Sequence, residues 1–424
     1  MKTKVKVKTT KEPKKLEKTS SADIVKNRSE REKILIGDIE KKFGQGLIGR
    51  AGDIGYRSIP RLSTGVFALD VALGGGWAKG RVNLVWGPQS SCKTYLMLKM
   101  IASAQQHDFY TNLPLSHVED GKPYKIAYID VEGALDFDWA QKLGVDLSEL
   151  YYVRPEHAEQ AADIVESLMA SGVFDIIVLD SLAAMTPEKE MEGDMGDQTV
   201  GTHARINNKM FRKIQSVMNK ISNEDGHLTP SLFVINQERE KIGVMFGSNK
   251  IKPGGRGQDF YTTMEVHTHS HKMEYFDTEK TLPKHAHFSF KVEKNKAAPP
   301  KIEGQFILAV ADDPEGTFEA GDVMEDVTIH NYSERLGLFK KIDSTTWEMC
   351  GKIYKRKGDL LAEWYQDHGN RDRLKRQMLQ ILFPKVFAHV QEKRAEGRSV
   401  EGVENKAEEQ PAATEIGSQD SQSA

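Results

Sequence analysis

Cysteine is nearly absent: Cys92 and Cys350 are the only two in 424 residues. At most one bridge can form, which excludes a disulfide-built scaffold and points to a reducing compartment such as the cytoplasm. Long apolar runs are missing too. No stretch reaches the roughly 20 residues that cross a bilayer, so no membrane association is expected. The first residues lack the apolar core of a secretory signal, and their scarcity of Arg sits poorly with an organellar transit peptide. Net charge is close to absent, −3 from 59 basic and 62 acidic side chains, yet the charges are unevenly placed. Lys alternates through Met1-Lys2-Thr3-Lys4-Val5-Lys6-Val7-Lys8, and residues 401–424 hold six acids against one Lys. Such ends fit a polyanionic partner with self-regulation, or simply two solvated tails.

What is present is material for a large core, 38% hydrophobic, enough for two or three domains or one large domain with appendages. The chain is organised around residues 81–102. An apolar strand, Val82 to Trp86, runs into Gly87-Pro88-Gln89-Ser90-Ser91-Cys92-Lys93-Thr94 and then into a helical pattern beginning at Tyr95. Strand, small-residue loop, Lys-Thr, helix is the P-loop arrangement. Backbone N–H groups of the loop and helix N-terminus face a polyphosphate, Lys93 adds a point charge, and the Thr94 hydroxyl can ligate Mg²⁺. Cys92 stands where Gly is usual, so its side chain must point away or accept strain.

Further apolar runs alternate with helical patterns: 125–132, 173–181 and 231–237 as strands, 156–170 as a helix. Runs apolar on both faces imply an α/β fold with a mostly parallel sheet covered by helices. Ligands of such sheets sit beyond the carboxyl ends of the strands, which is where Gly87, Glu132, Asp180 and Gln237 all fall. Asp180 suits the acid that holds Mg²⁺ through water. Glu132 suits the base that orients a water molecule. Residues 190–201 and 238–256 read as long functional loops, the second mixing Gly, basic and apolar residues in a way that suits nucleic-acid contact. Ser29 is placed to cap an amphipathic helix with Leu35, Ile39 and Phe43 on one face.

From about residue 30 to 310 the chain resembles the RecA family of ATP-dependent strand-exchange recombinases. The P-loop, Ile129 to Asp136, Lys142 to Asp146, Val178 to Ala184, Lys241-Ile242-Gly243-Val244-Met245-Phe246-Gly247 and Lys294-Asn295-Lys296-Ala297-Ala298-Pro299 carry the resemblance, in family order. It implies a basic tail over 1–29, a polymerisation helix and linker over 30–60, an ATPase core over 61–314 and a small α+β domain over 315–390 that captures duplex DNA. An acidic tail would occupy 391–424. It further implies that Glu132 activates water, that Gln237 links the γ-phosphate to the second DNA loop, and that Asp136 and Trp139 meet adenine. Lys294 and Lys296 would reach the γ-phosphate of a neighbouring subunit. Arg205, Arg212, Arg239, Lys241, Gly254, Gly255 and Arg256 would serve DNA, with Lys291 beside a secondary DNA site. ATP and Mg²⁺ are the implied cofactors; single- and double-stranded DNA and a homo-oligomeric helical filament are the implied partners, in recombination, repair and the SOS response.

This sequence departs from the family pattern at four places. Cys92 replaces Gly, Gln89 replaces a glutamate, and Asp259 stands where a basic residue is usual. Val266-His267-Thr268-His269-Ser270-His271 replaces a stretch with arginines. The three imidazoles share one strand face and could bind Zn²⁺; with no Cys or paired acid to complete a closed site, the preferred reading is a basic face for DNA phosphates. A RecA-core motor or helicase, and a non-hydrolysing DNA-binding mediator motivated by Cys92, are the alternatives.

Overall fold

The computed structural model describes residues 21–44, 48, 59–108, 115, 121–193, 201–224, 229–240 and 250–387. Lys241 and the runs 194–200, 241–249 and 391–424 lie outside the described residues. The chain separates into two units, Met1–Tyr56 and Arg57–Ala424. The first contains one helix, α1 (Ser21–Phe43). It begins well before Ser29, which is therefore not its cap, so residues 21–29 belong to the helix and not to a tail. No Pro or Gly interrupts 21–36. Ile34, Leu35 and Phe43 are exposed on it.

The second unit is built on an eight-stranded sheet. In chain order its strands are β1 (Val82–Gly87), β2 (Ile126–Asp130), β3 (Leu150–Val153), β4 (Ile176–Asp180), β5 (Ser231–Gln237), β6 (Met264–Tyr275), β7 (Pro283–Asn295) and β8 (Glu303–Ala309). Their order across the sheet is β8-β7-β6-β1-β5-β4-β2-β3. The six strands from β6 to β3 pair in parallel, and β7 and β8 extend one edge in antiparallel fashion. Successive residues point to opposite faces, and the apolar runs divide accordingly. Val85, Ile126, Tyr128, Val178, Phe233 and Ile235 pack under helix α2 (Lys93–Gln105) and the helix Phe67–Leu73. Leu84, Ala127, Ile129, Ile177, Leu179 and Val234 pack under α3 (Ala158–Ala170) and α4 (Thr202–Glu224). Both faces are covered, which is why these strands read as continuous apolar runs. Among the described residues no helix is long and apolar enough to cross a membrane.

A third apolar cluster holds the segment after β8. Ile329 on α5 (Asp326–Arg335), Phe339, Met349 and Tyr354 on a three-stranded antiparallel sheet, and Leu374 and Met378 on α6 (His368–Leu382) close on one another and on Phe67. Glu325 ties this lobe down: it accepts from the Phe67 backbone N–H at 2.5 Å and from Lys375 at 2.9 Å.

Candidate functional site

Strand register brings three sequence-predicted groups, Gly87, Asp180 and Gln237, to one edge, with Glu132 just beyond it. Gly87 pairs with Gln237, and Asp130 pairs with Asp180. The loop 87–92 leaves β1 there and turns into α2. Ser90 and Cys92 both adopt left-handed φ, 57° and 67°. Cys92 accepts strain and also points away, packing against the apolar cluster beneath α2; burial pushes its thiol well up, so it stays protonated. Gly87 is needed for a different reason. A Cβ there would meet the Thr268 carbonyl oxygen at 2.4 Å and Ser91 Oγ at 2.7 Å.

These two positions give contrasting expectations. Cys92→Gly should change stability by less than about 1 kcal/mol, because release of roughly 1–2 kcal/mol of left-handed strain offsets the lost packing and the freer unfolded chain. Gly87→Ala should cost about 1–3 kcal/mol by overpacking against backbone. Thermal melts of the two variants without nucleotide check this.

Lys93 Nζ donates to the Pro88 carbonyl at 2.5 Å and reaches Ser91 Oγ at 3.4 Å. Burial lowers its pKa, against the raising influence of Asp180 and Glu132. Thr94 Oγ1 and Tyr128 OH both donate to Asp180 Oδ2, at 2.9 and 2.6 Å. Burial pushes the Asp180 carboxyl up to about 6 and outweighs those two hydrogen bonds. A buried carboxylate beside a hydroxyl, at a helix N-terminus flanked by a lysine, is an oxygen donor pair that suits Mg²⁺ carried by a polyphosphate. Glu132 is exposed two residues past β2. Its Oε1 accepts from Ser181 Oγ at 2.5 Å and from Gln237 Nε2 at 2.8 Å.

Sequence reasoning missed the groups that shape this edge. Asp130 is buried and accepts from Gly133 N, Leu135 N and Tyr152 OH at 2.7 to 3.0 Å, which fixes the turn carrying Glu132. Asn236 Nδ2 donates to Pro253 O and Gln258 Oε1, and Gln258 Nε2 donates to Pro253 O and Gly255 O. Their signal was weak: single polar residues at the end of an apolar strand or opening a short helix. Asp136 caps the helix Phe137–Lys142 by accepting from Trp139 N at 2.9 Å, and Trp139 packs partly against the main core.

The two candidate DNA loops meet at their roots. The first leaves the short helix Glu188–Glu192 and re-enters at α4, which displays Arg205 and Arg212 to solvent. The second begins at Glu238, and Arg239 and Glu240 pair with Lys250 and Ile251 as a small antiparallel ladder. Gly254 and Gly255 have φ of 90° and 85°, and a Cβ on them would strike Asn207 and Ala204 of α4 at 2.5 and 2.9 Å. Arg239 and Arg256 are exposed.

Lys294 and Lys296 do not join the P-loop edge. Lys294 faces Glu265, which is itself in register with Leu84, and the Lys296 backbone bonds Thr263 next to Val82. Their amines bond the backbone carbonyls of Asp259 and Phe260. Lys296 therefore lies at the amino end of the parallel strands, about 16 Å along β1 from Gly87 at the rise of ~3.3 Å per residue, and Lys294 lies level with Leu84, about 10 Å from Gly87. Lys291 lies across from His267 and pairs with Glu293 and Glu303, both at 3.4 Å.

The histidine segment corrects one expectation. A paired acid does stand beside it: Glu238 Oε2 lies 2.6 Å from His267 Nε2. A sequence separation of 29 positions hid the pair. His271 instead meets Ser289 Oγ at 2.7 Å, and His285 and His287 on β7 share Glu274 at 3.3 and 2.8 Å.

The family model described as the RecA N-terminal domain matches residues 32–312. Protein RecA of Streptomyces ambofaciens is 38% identical over 313 residues, which cover 73% of this chain and 77% of that protein. Protein RecA of Aquifex aeolicus is 36% identical over 348 residues, 81% of this chain and 90% of that one. Among solved structures, the one titled "Crystal structure of the RadB recombinase" overlaps with a TM-score of 0.41 at 17% identity, covering 58% of this chain and 96% of its own.

Proposed function

The chain belongs to the RecA family, and on that premise we propose that it is an ATP-dependent recombinase. It assembles as a helical filament on single-stranded DNA, hydrolyses ATP in response to that DNA, and exchanges the bound strand with a homologous duplex. Lys93 and the backbone N–H groups of residues 88–94 hold the β- and γ-phosphates. Thr94, with Asp180 acting through water, would hold Mg²⁺, which neutralises phosphate charge. Glu132 orients the attacking water and accepts its proton, held in place by Ser181 and Gln237. Gln237 touches Glu132 on one side and is followed directly by the root of the 238–256 loop, so it relays the state of the γ-phosphate to DNA. Asp136 and Trp139 border the adenine. Arg205, Arg212, Arg239, Lys241, Arg256 and the close-packed Gly254 and Gly255 make the primary DNA surface; Lys291 serves a second strand. Helix α1 docks on a neighbouring subunit through Leu35, Ile39 and Phe43. The core over 61–314 carries the ATPase, and the lobe over 315–390 captures duplex DNA.

The observation that carries this reading is the separation of the site's two halves. P-loop, Glu132, Asp180 and Gln237 occupy one end of the parallel strands, Lys296 lies toward the other, and Lys294 lies about 10 Å along β1 from Gly87 at ~3.3 Å per residue. Within one chain the two lysine amines are held by the Asp259 and Phe260 carbonyls rather than by the P-loop. Head-to-tail stacking brings the lysine end of one copy to the P-loop end of the next, a heterologous contact that propagates.

The deciding experiment measures ATP turnover with and without single-stranded DNA and images the same mixture by electron microscopy. DNA-stimulated turnover on continuous filaments is expected. Closed rings would select the motor reading, and absent turnover would select the non-hydrolysing mediator.

A further inference from the structure

We propose that Glu238, His267 and His269 form a binding site for a divalent transition-metal ion of the Zn²⁺ class, which ties the root of the 238–256 loop to strand β6. One donor atom from each residue lies within 4.8 Å of the others. The glutamate and the first imidazole are almost fully enclosed, with side chains 8% and 7% exposed. Two imidazoles and a carboxylate with a fourth position open to water is a donor set that Zn²⁺ accepts.

Each ligand is held from behind. Trp86 stacks on His267 at 3.7 Å with the rings 7° from parallel, which sets the imidazole plane. His269 meets that ring edge-on at 4.1 Å and is partly buried, and its imidazole forms no hydrogen bond among the described residues. Lys250 Nζ sits 3.1 Å from Glu238 Oε1. It leaves Oε2 directed at His267 and plays the part of an outer partner that orients a ligating carboxylate. A cavity of about 680 Å³, lined by Trp86, Lys250, His267, His269, His271 and Lys291 among others, opens beside the cluster and admits an ion and its water. Binding puts the metal where His267 Nε2 and Glu238 Oε2 now share a hydrogen, and in a neutral imidazole that hydrogen moves to Nδ1.

The consequence follows from chain position. Glu238 is the first residue after Gln237, and its backbone N–H donates to the Gly87 carbonyl at 2.8 Å. Both histidines belong to β6, the neighbour of β1. An ion here would cross-link loop root and sheet beside the P-loop edge. The cluster Glu274, His285 and His287 differs: its carboxylate oxygens are already divided between the two rings, so it serves as a control.

The test uses the full-length protein, stripped with a chelator and titrated with Co²⁺ in excess Mg²⁺ without nucleotide or DNA. Uptake of a single Co²⁺ per chain is expected, with the visible absorption of a four-coordinate ion, displacement by Zn²⁺ and quenching of Trp86 emission that Trp86→Phe removes. His269→Gln and Glu238→Gln should each weaken affinity by at least about tenfold while circular dichroism and melting temperature show an intact fold. His271→Gln and His285→Gln should leave it unchanged. No stoichiometric uptake by the wild type, uptake that survives both ligand substitutions, or loss on His285→Gln overturns the proposal. No nucleotide or DNA is needed, so failure here leaves the recombinase reading untouched.

Discussion

Mixing two inactive variants is expected to restore ATP hydrolysis. Glu132→Gln removes the group placed to orient water and should lower DNA-stimulated turnover by about 10²–10⁴ while leaving the fold intact. Lys294→Ala removes a cation proposed to act at the neighbour's phosphates, and should cost a loss of about 10³ if it works as a finger supplied in trans. In a random equal mixture, about a quarter of head-to-tail interfaces pair an intact Glu132 edge with an intact Lys294 edge. Turnover should rise to that fraction of the wild-type rate. Were Lys294 merely bracing the short helix Gly257–Tyr261 through the Asp259 carbonyl, no mixture would recover activity. The measurement is steady-state phosphate release across a series of mixing ratios, with filaments imaged at each.

Asp180→Asn should make the protein more stable and useless at once. The Asp180 carboxyl is buried, and its pKa is raised from 3.8 to about 6. A raised folded-state value means that the native state prefers the proton. The stability contributed by that proton is fully present below about pH 4 and is lost as pH rises through about 6. At pH 7 the wild type therefore carries a penalty on the order of 3 kcal/mol, about two units at 1.36 kcal/mol per unit, which Asn does not incur. The melting temperature of the variant should exceed that of the wild type at pH 7, and the two should converge near pH 4. Added Mg²⁺ and ATP should raise the wild-type melting temperature by binding the native state and should leave the variant nearly unmoved. Equal melting temperatures at pH 7 would mean that Asp180 is not held in a desolvated state. Stability given up at a site and recovered on ligand binding is the usual trade of a functional carboxylate.

Most of the nucleotide edge was legible because its parts are local. A P-loop is a contiguous stretch, and Asp180 and Glu132 each terminate or follow an apolar run whose length and composition mark a strand. Helix α1 was found in kind but begun too late, since a residue with capping chemistry such as Ser29 can also stand inside a helix. Gly254 and Gly255 were picked out, but the reason for them, close contact with Asn207 and Ala204 of α4, requires two segments about fifty residues apart to touch. Asp130 illustrates the opposite case: it looks like one more acid at a strand end, and only its three donors reveal that it shapes the Glu132 turn.

Periodicity and motif alone determined the α/β core, the nucleotide loop, the two acids beside it and the family, because each is encoded in short runs whose local physics does not depend on distant partners. Tertiary structure decided which end of the sheet each group occupies. Parallel register carries Gly87, Asp180 and Gln237 to one edge, while Lys296 lies beside Val82 at the other and Lys294 lies level with Leu84 between them. It also decided the company of the histidines. Residues far apart in sequence become neighbours only when strands align, and that alignment set Glu238 against His267, whose ring stacks on Trp86, so that a buried carboxylate and imidazole bond each other.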